Sequence, residues 1–284
     1  MPTVRQLRDR IKSLKNTQQI TKAMKQVAAA KIRRAEMLQS QSRPYAQTID
    51  EMLRDLIEAV GSVDHPYLRP GAAGKPAGVI LMTADKGLAG AFNSNAVRAA
   101  EEYRRGEPNG VLWYVVGIKG RNAMRRSGEI AHFWPQSSGQ RIEVAREVAR
   151  RAGEDFAAGT ISKITLVSQR LVSLLVQRPE TRELIPIVRE ERAKTAPASA
   201  VEFEPDAESV LSRLLPKYLE FTIFSALLET DAAFFAAQLL AMTNATDNAG
   251  KLIDELTLDM NKARQAAITK EILEIVGGAE ALSG

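Results

Sequence analysis

The stretch "LLAMTNATDNAGKLIDELTLDMNKARQAA" (Leu239–Ala267) decides the fold. Its seam residues are Leu239, Met242, Thr246, Ala249, Ile253, Leu256, Met260, Ala263 and Ala267, with steps that alternate strictly between three and four residues. That spacing keeps one stripe of a helix turned toward a partner helix. Thr246, Ala249, Ala263 and Ala267 are small and let the partner come close. From Lys217 to Val276 there is one glycine, Gly250, and no proline. A helix of that length spans on the order of 90 Å at 1.5 Å per residue. No small domain buries such a rod alone.

A partner stands at the other end of the chain. Residues 3–58 contain one proline, Pro44, and no glycine. Val4, Leu7, Ile11 and Leu14 repeat the alternation. The polar NTQQITK segment then interrupts it; Ile20, Met24 and Val27 restart the stripe, and Ile32, Ala35 and Leu38 extend it. A slipped heptad of this kind predicts a local change in winding. Pro44 and Pro216 are expected kinks, Pro216 alternatively a helix restart. Pairing of the terminal helices with one another is the first solution, favoured by their tethering in one chain. Dimerisation through either helix is the alternative.

The middle of the chain changes period. "AGVILMT" (Ala77–Thr83) and "VLWYVVG" (Val111–Gly117) read as buried strands, and "IAHFW" (Ile130–Trp134) as a third. Helical runs are expected over Asn95–Arg105, Lys119–Ser127 and Arg141–Ala158. Ile161–Gln169, Leu171–Gln177 and Glu183–Val188 read as extended. Strands alternating with helices predict a mostly parallel sheet between helical layers. The fold class is therefore α+β overall: an N-terminal helix over 1–60, an α/β domain over 76–190, a linker over 191–205 and a C-terminal helix over 206–284.

Composition narrows the function. The chain has 284 residues and no cysteine, which removes disulfides, thiol nucleophiles and cysteine metal sites. No run approaches eighteen consecutive apolar residues, and MPTVRQLRDRIK has no apolar core of a secretory signal. The default location is cytoplasmic. The net charge of +5 is unevenly distributed. Residues 1–43 hold eleven Lys/Arg against Asp9 and Glu36, a net +9, so the remainder sums to −4. Such a segment faces nucleic acid, anionic lipid or an acidic protein, or is simply a solvated helix face. A basic coiled coil binding nucleic acid through its first helix is the alternative function. Aromatic residues are only 5% and do not interleave with the basic run, so stacking platforms are missing.

Catalytic motifs fail on inspection. "GAAGKP" (Gly71–Pro76) has two residues between its glycines and Pro76 after Lys75, and it precedes a strand, so it is no Walker A loop. "KGLAG" (Lys86–Gly90) lacks G-x-G-x-x-G, and the second strand ends without an acidic residue for a ribose. His65 and His132 are far apart without ligand-spaced partners. No catalytic residue, cofactor site or metal site is expected.

Five stretches carry a resemblance: Leu7–Glu36, Thr83–Asn95, Phe203–Asp206, Ala241–Leu256 and Asn261–Leu282. With "NTQQITKAM" and "NKARQAAIT" as the most specific, the chain resembles the gamma subunits of F-type ATP synthases. The resemblance implies an antiparallel coiled coil of the terminal helices with a Rossmann-like domain beside its base. It implies a non-catalytic rotor shaft of a proton-translocating synthase. The implied partners are the alpha and beta subunits of the catalytic head, the epsilon subunit and the membrane c-ring, with no nucleic acid and no direct membrane insertion. Implied contacts to the catalytic subunits are Met24, Lys25, Arg264, Gln265 and Thr269; Phe203 and Glu204 belong to the foot on the membrane ring. The apolar tail, Ile268 to Leu282, is expected inside an apolar sleeve, where contact without direction avoids angular traps. The implied location is peripheral, on the cytoplasmic side of a bacterial cell membrane. "DAAFFAAQLLAM" (Asp231–Met242) departs from the family in being unusually apolar near Phe234, Phe235 and Gln238, and suggests a greasier contact within the foot.

Overall fold

The computed structural model describes residues 2–60, 65–136, 140–187 and 206–283. The linker over 191–205 lies outside them, as do Phe203 and Glu204. In chain order the elements are α1 (Val4–Val60), a 3-10 turn (Pro66–Leu68), β1 (Ala77–Met82), α2 (Phe92–Gly106), β2 (Val111–Val116), α3 (Ile118–Met124), β3 (Glu129–Trp134), α4 (Arg141–Ala157), β4 (Ile164–Ser173), β5 (Val176–Ile185) and α5 (Ala207–Ser283). They form two compact units, Ala28–Gln238 and the two terminal segments Met1–Val27 with Leu239–Gly284. Both long helices run on through their prolines, Pro44 and Pro216, so neither ends or restarts there.

In the larger unit one sheet has the order β3-β2-β1-β4-β5. Strands β1, β2, β3 and β4 are parallel and β5 is antiparallel to β4. β1 is central and wholly buried, which its unbroken run of small and aliphatic residues requires. Its side chains divide by parity. Val79 and Leu81 pack with Trp113, Val115, Ala96 and Ala100 beneath α2 and α3. Ile80 and Met82 pack with Tyr114, Val148, Leu215 and Leu219 beneath α4 and α5. Gly117 ends β2 at φ +97, and a Cβ there would lie 2.2 Å from the Thr83 carbonyl oxygen.

Two expectations change here. The three extended segments after Ala158 are two strands, with the hairpin turning at Leu174–Leu175 inside the segment read as one strand. β5 takes in the polar run Arg178–Glu183 because it is an exposed edge strand, and an edge carries no apolar alternation to read. The apolar run on α5 is core of this unit. Ala233, Phe234 and Ala237 pack on Ala84, Ala89 and Phe92. The Phe234 ring meets Phe92 edge-on at 5.5 Å, and Lys31 lies 5.3 Å from the Phe235 ring.

The smaller unit is an antiparallel pair. The Thr246 hydroxyl donates to that of Thr21 at 2.8 Å, and Gln18 Nε2 donates to the Thr246 carbonyl at 3.5 Å. A Cβ on Gly250 would come within 3.1 Å of the same Gln18 nitrogen, so glycine there leaves room for the Gln18 side chain. The partner index rises along α5 as it falls along α1.

No register slip occurs on α1. Leu7, Ile11 and Thr21 are buried, and Val4, Leu14, Gln18 and Lys25 are half-buried, a continuous three-four alternation. Ile20 and Val27 are instead 61% and 54% exposed. The seam passes through polar residues because Thr246 and Gly250 offer a hydroxyl and space there. In the larger unit Ala28, Ile32 and Ala35 keep the same spacing, and Leu38 faces solvent.

α5 contains an 18-residue window of mean hydropathy at least 1.2, apolar enough by composition to cross a bilayer, yet the window is 56% buried against protein. Core helices of soluble proteins share that composition.

Candidate functional site

The register of the helix pair predicts where it ends. With Thr21 against Thr246 and Gln18 against Gly250, Leu7 falls against Met260 and Val4 against Ala263. α1 begins at Val4, so among the described residues α5 has no partner beyond that level. Burial follows: Met242, Ala249 and Ile253 are buried, Leu256, Met260 and Ala263 half-buried, and every residue from Arg264 to Gly277 exposed.

The bare segment is amphipathic on a new face. Continuing the seam spacing from Met260 and Ala263 leads to Ala267, Lys270 and Glu274. Lys270 and Glu274 form an ion pair at 3.6 Å across one turn. The aliphatics occupy other positions. Ile268, Ile272 and Ile275 are 45%, 54% and 72% exposed and fall on one stripe at 100° per residue, with Val276 beside them. The stripe is turned well away from the seam, so it is not a coiled-coil face whose partner ran short. It is a second apolar surface.

Arg264, Gln265 and Thr269 lie at the root of that stripe, on its side of the helix. All three are exposed, and the Thr269 hydroxyl donates to the Gln265 carbonyl at 3.0 Å. The bond occupies the Gln265 backbone carbonyl only. Met24 and Lys25 are half-buried on α1, opposite the α5 segment near Met242 and Thr243. They stand about 30 Å along the pair from Arg264 at 1.5 Å per residue. The structure thus gathers Arg264, Gln265 and Thr269 into one patch and keeps Met24 and Lys25 apart from it. Sequence reading missed the change of face, although the shift from Ala267 to Ile268 was its signal.

In the larger unit, the crevice outside the carboxyl ends of β1 and β4 is where open α/β sheets take ligands. Here Ala233, Phe234 and Ala237 of α5 fill the space beside Ala84 and Phe92. Polar groups around it lock helix to sheet. Gln169 Nε2 donates to the Phe92 carbonyl at 3.0 Å. Arg141 Nε donates to Asp231 Oδ2 at 2.6 Å, and Gln136 donates to the other carboxylate oxygen. Burial pushes the Asp231 carboxyl above its usual range, and the Arg141 charge opposes that rise. "KGLAG" is a tight turn, with Leu88 at φ 62 and Gly90 at φ 55.

The family model described as ATP synthase matches residues 3–282. An ATP synthase gamma chain of Pelotomaculum thermopropionicum is 44% identical, covering 99% of this chain and 100% of that protein. One from Heliobacterium modesticaldum is 43% identical over the same shares of each chain. Among solved structures, a chain from the Euglena gracilis mitochondrial ATP synthase rotor, rotational state 1, matches with a TM-score of 0.66 at 19% identity, covering 93% of this chain and 98% of that one. A chain from the central stalk and c-ring of the Tetrahymena thermophila enzyme gives 0.62 at 22% identity, covering 80% and 99%. The fold and the long paired helices are shared with these chains; the sequence match spans nearly every residue, and the chain belongs to the ATP synthase gamma chain family.

Proposed function

We propose that this chain is the non-catalytic rotor shaft of a proton-driven ATP synthase, coupling rotation of a membrane ring to the conformational cycle of catalytic sites on other subunits. The observation that carries the reading is the bare end of α5: exposed from Arg264 to Gly277, with an apolar stripe that no described residue of its own unit covers. Burying one such aliphatic side chain is worth roughly 1.5–3 kcal/mol, so a sleeve of alpha and beta subunits gains by taking it in. Apolar contact is non-directional and allows turning. Arg264, Gln265 and Thr269 supply directional contact at the root of the bearing, and Met24 and Lys25 a second level below. Phe203 and Glu204 belong to the foot on the c-ring, and the epsilon subunit binds the flank of the α/β unit. The complex is peripheral to the cell membrane, on its cytoplasmic side. The basic residues of α1 suit acidic loops of the catalytic subunits, and the family membership leaves the nucleic-acid alternative without support.

The test is made in the assembled complex. Arg264→Ala and Gln265→Ala are expected to assemble normally and to lower proton-coupled ATP synthesis, by about tenfold for each 1.4 kcal/mol of interaction energy that the substitution removes. Unchanged synthesis and hydrolysis in both variants would overturn the assignment of these residues.

A further inference from the structure

Helix α3 and the edge strand β3 enclose an open cavity of about 480 Å³ that belongs to none of the rotor contacts named above. Arg121 and Arg125, at the end of α3, line it together with Gly128, Ile130, Ala131 and Phe133. A bulge shapes the strand side. Trp113 of β2 pairs with Ile130 and Tyr114 with His132, so Ala131 is an extra residue. Residues three apart on a regular strand point to opposite faces. The bulge instead puts Ile130 and Phe133 on one face, both against the cluster around Trp113.

A buried donor and a pair of free charges meet at this wall. Trp113 is fully buried, and its indole Nε1, a donor only, has no hydrogen-bond partner. Native interiors leave few such groups unmatched. The nitrogen lies directly behind the lining: a Cβ added to Gly128 would come to 2.9 Å from it, and Ile130 is the cross-strand neighbour of Trp113. Glycine at 128, with φ +152, thus places no side chain over the donor. Arg121 and Arg125 make no ion pair among the described residues, and no described carboxylate lines the cavity. Arg121 lies over the Phe133 ring at 4.7 Å. Such stacking engages the flat face of a guanidinium and leaves its N–H edge free. Charge count selects the occupant. A monocarboxylate or a lipid phosphodiester brings one negative charge and offsets one arginine; a phosphate monoester brings about two at neutral pH. Its oxygens also match guanidinium forks in two-point geometry. We infer that the cavity between α3 and β3 binds a small phosphate monoester, with Arg121 and Arg125 on the phosphoryl oxygens, the Trp113 N–H reached over Gly128, and Ile130 and Ala131 against the organic body. The volume falls within the roughly 300–1,000 Å³ typical of small-molecule sites, and a phosphoryl group alone would leave most of it empty.

The buried indole is also the reporter. The chain has two tryptophans, Trp113 and Trp134, so a nitrogen–proton NMR spectrum of the full-length chain holds two indole signals, and Trp134→Phe assigns them. Phenyl phosphate is the probe. Its titration is expected to move the Trp113 signal to saturation at about 1 mM or below, while the Trp134 signal stays in place. Benzoate has the same ring with one charge, and malonate has two charges without a phosphoryl group; both are expected to bind about tenfold or more weakly. Arg121→Gln and Arg125→Gln should each weaken phenyl phosphate by about tenfold or more, and the rest of the spectrum should hold because neither side chain is buried. A Trp113 signal unmoved at about 10 mM phenyl phosphate overturns the proposal. So does benzoate or malonate binding as tightly as the ester, or unchanged affinity in either arginine variant. A Trp113 response to phosphatidylglycerol vesicles alone overturns it as well, since that marks a lipid contact.

Discussion

Helix α5 is used in opposite ways along its length. Between Leu211 and Ala237 it is core: Leu211, Leu215, Leu219, Ile223 and Leu227 lie under the sheet, and Ala233, Phe234 and Ala237 close the crevice at the strand ends. Beyond Arg264 every described side chain faces solvent, Ile272 and Ile275 included. Both regions are rich in aliphatics, so hydrophobicity does not separate them. What separates them is the supply of partner surface. The first region meets a sheet and two helices; the last extends past the start of α1. The region between, where Thr21 meets Thr246, shows a third use: a seam that is narrow and partly polar.

This contrast can be broken at each level. The largest effect is expected in the dry core. Ile80 is fully buried in the central strand, and Ile80→Ala should cost about 2–5 kcal/mol in denaturant unfolding. A loss below about 1 kcal/mol would mean the unit is loosely packed and the contrast is false. In the helix pair the expected scale is smaller. Thr21→Val leaves the Thr246 hydroxyl with only its own-helix acceptor, the Met242 carbonyl at 2.7 Å, and should cost about 1 kcal/mol. Changing both threonines to valine should recover part of that loss; a double variant less stable than either single one contradicts a replaceable polar seam.

At the bare end, Ile272→Ser and Ile275→Ser should change the stability of the isolated chain by less than about 0.5 kcal/mol. In the assembled complex the same variants should weaken retention of the shaft, read by gel filtration of the head. A large loss of stability in the free chain would show that the stripe is covered by its own protein. The smallest effect concerns pH. Burial, and then the Arg69 charge, hold the His65 pKa below 6.5, and the His65 Nδ1 accepts from the Tyr67 amide at 3.1 Å. The folded state therefore favours neutral imidazole. Its contribution is complete above 6.5 and is lost as pH falls through the depressed folded value. An NMR titration of His65 with a midpoint at or above 6.5 would contradict this.

Much of this architecture is legible in the residues. The alternation from Leu239 to Ala263 and from Val4 to Leu14 carries the helix pair. The runs Ala77–Met82 and Val111–Val116 carry a buried parallel sheet, because a strand covered on both faces has no polar side to show. β5 is not legible, since an edge strand made of Arg178–Glu183 reads as loop. The break expected at NTQQITK fails for a related reason: reading apolar residues alone follows Ile20 and Val27, while the buried positions are Gln18 and Thr21. Phe234 and Phe235 look out of place until the crevice they fill is in view. At the tip, Arg264, Gln265 and Thr269 come from family resemblance; geometry adds that they share a face with Ile268, Ile272 and Ile275.

The sequence by itself determined the two long helices, their seams, the alternating strands and helices between them, and the family. Those features rest on local periodicity, which each segment carries within its own few turns. Only the tertiary structure decided which apolar residues find cover. Burial depends on what stands opposite, and that is set by where α1 begins, how Gln18 and Thr21 fit against Gly250 and Thr246, and which helix closes the end of the sheet. Ile80 and Ile275 are the same residue type, and what surrounds each one makes the first core and the second a free surface.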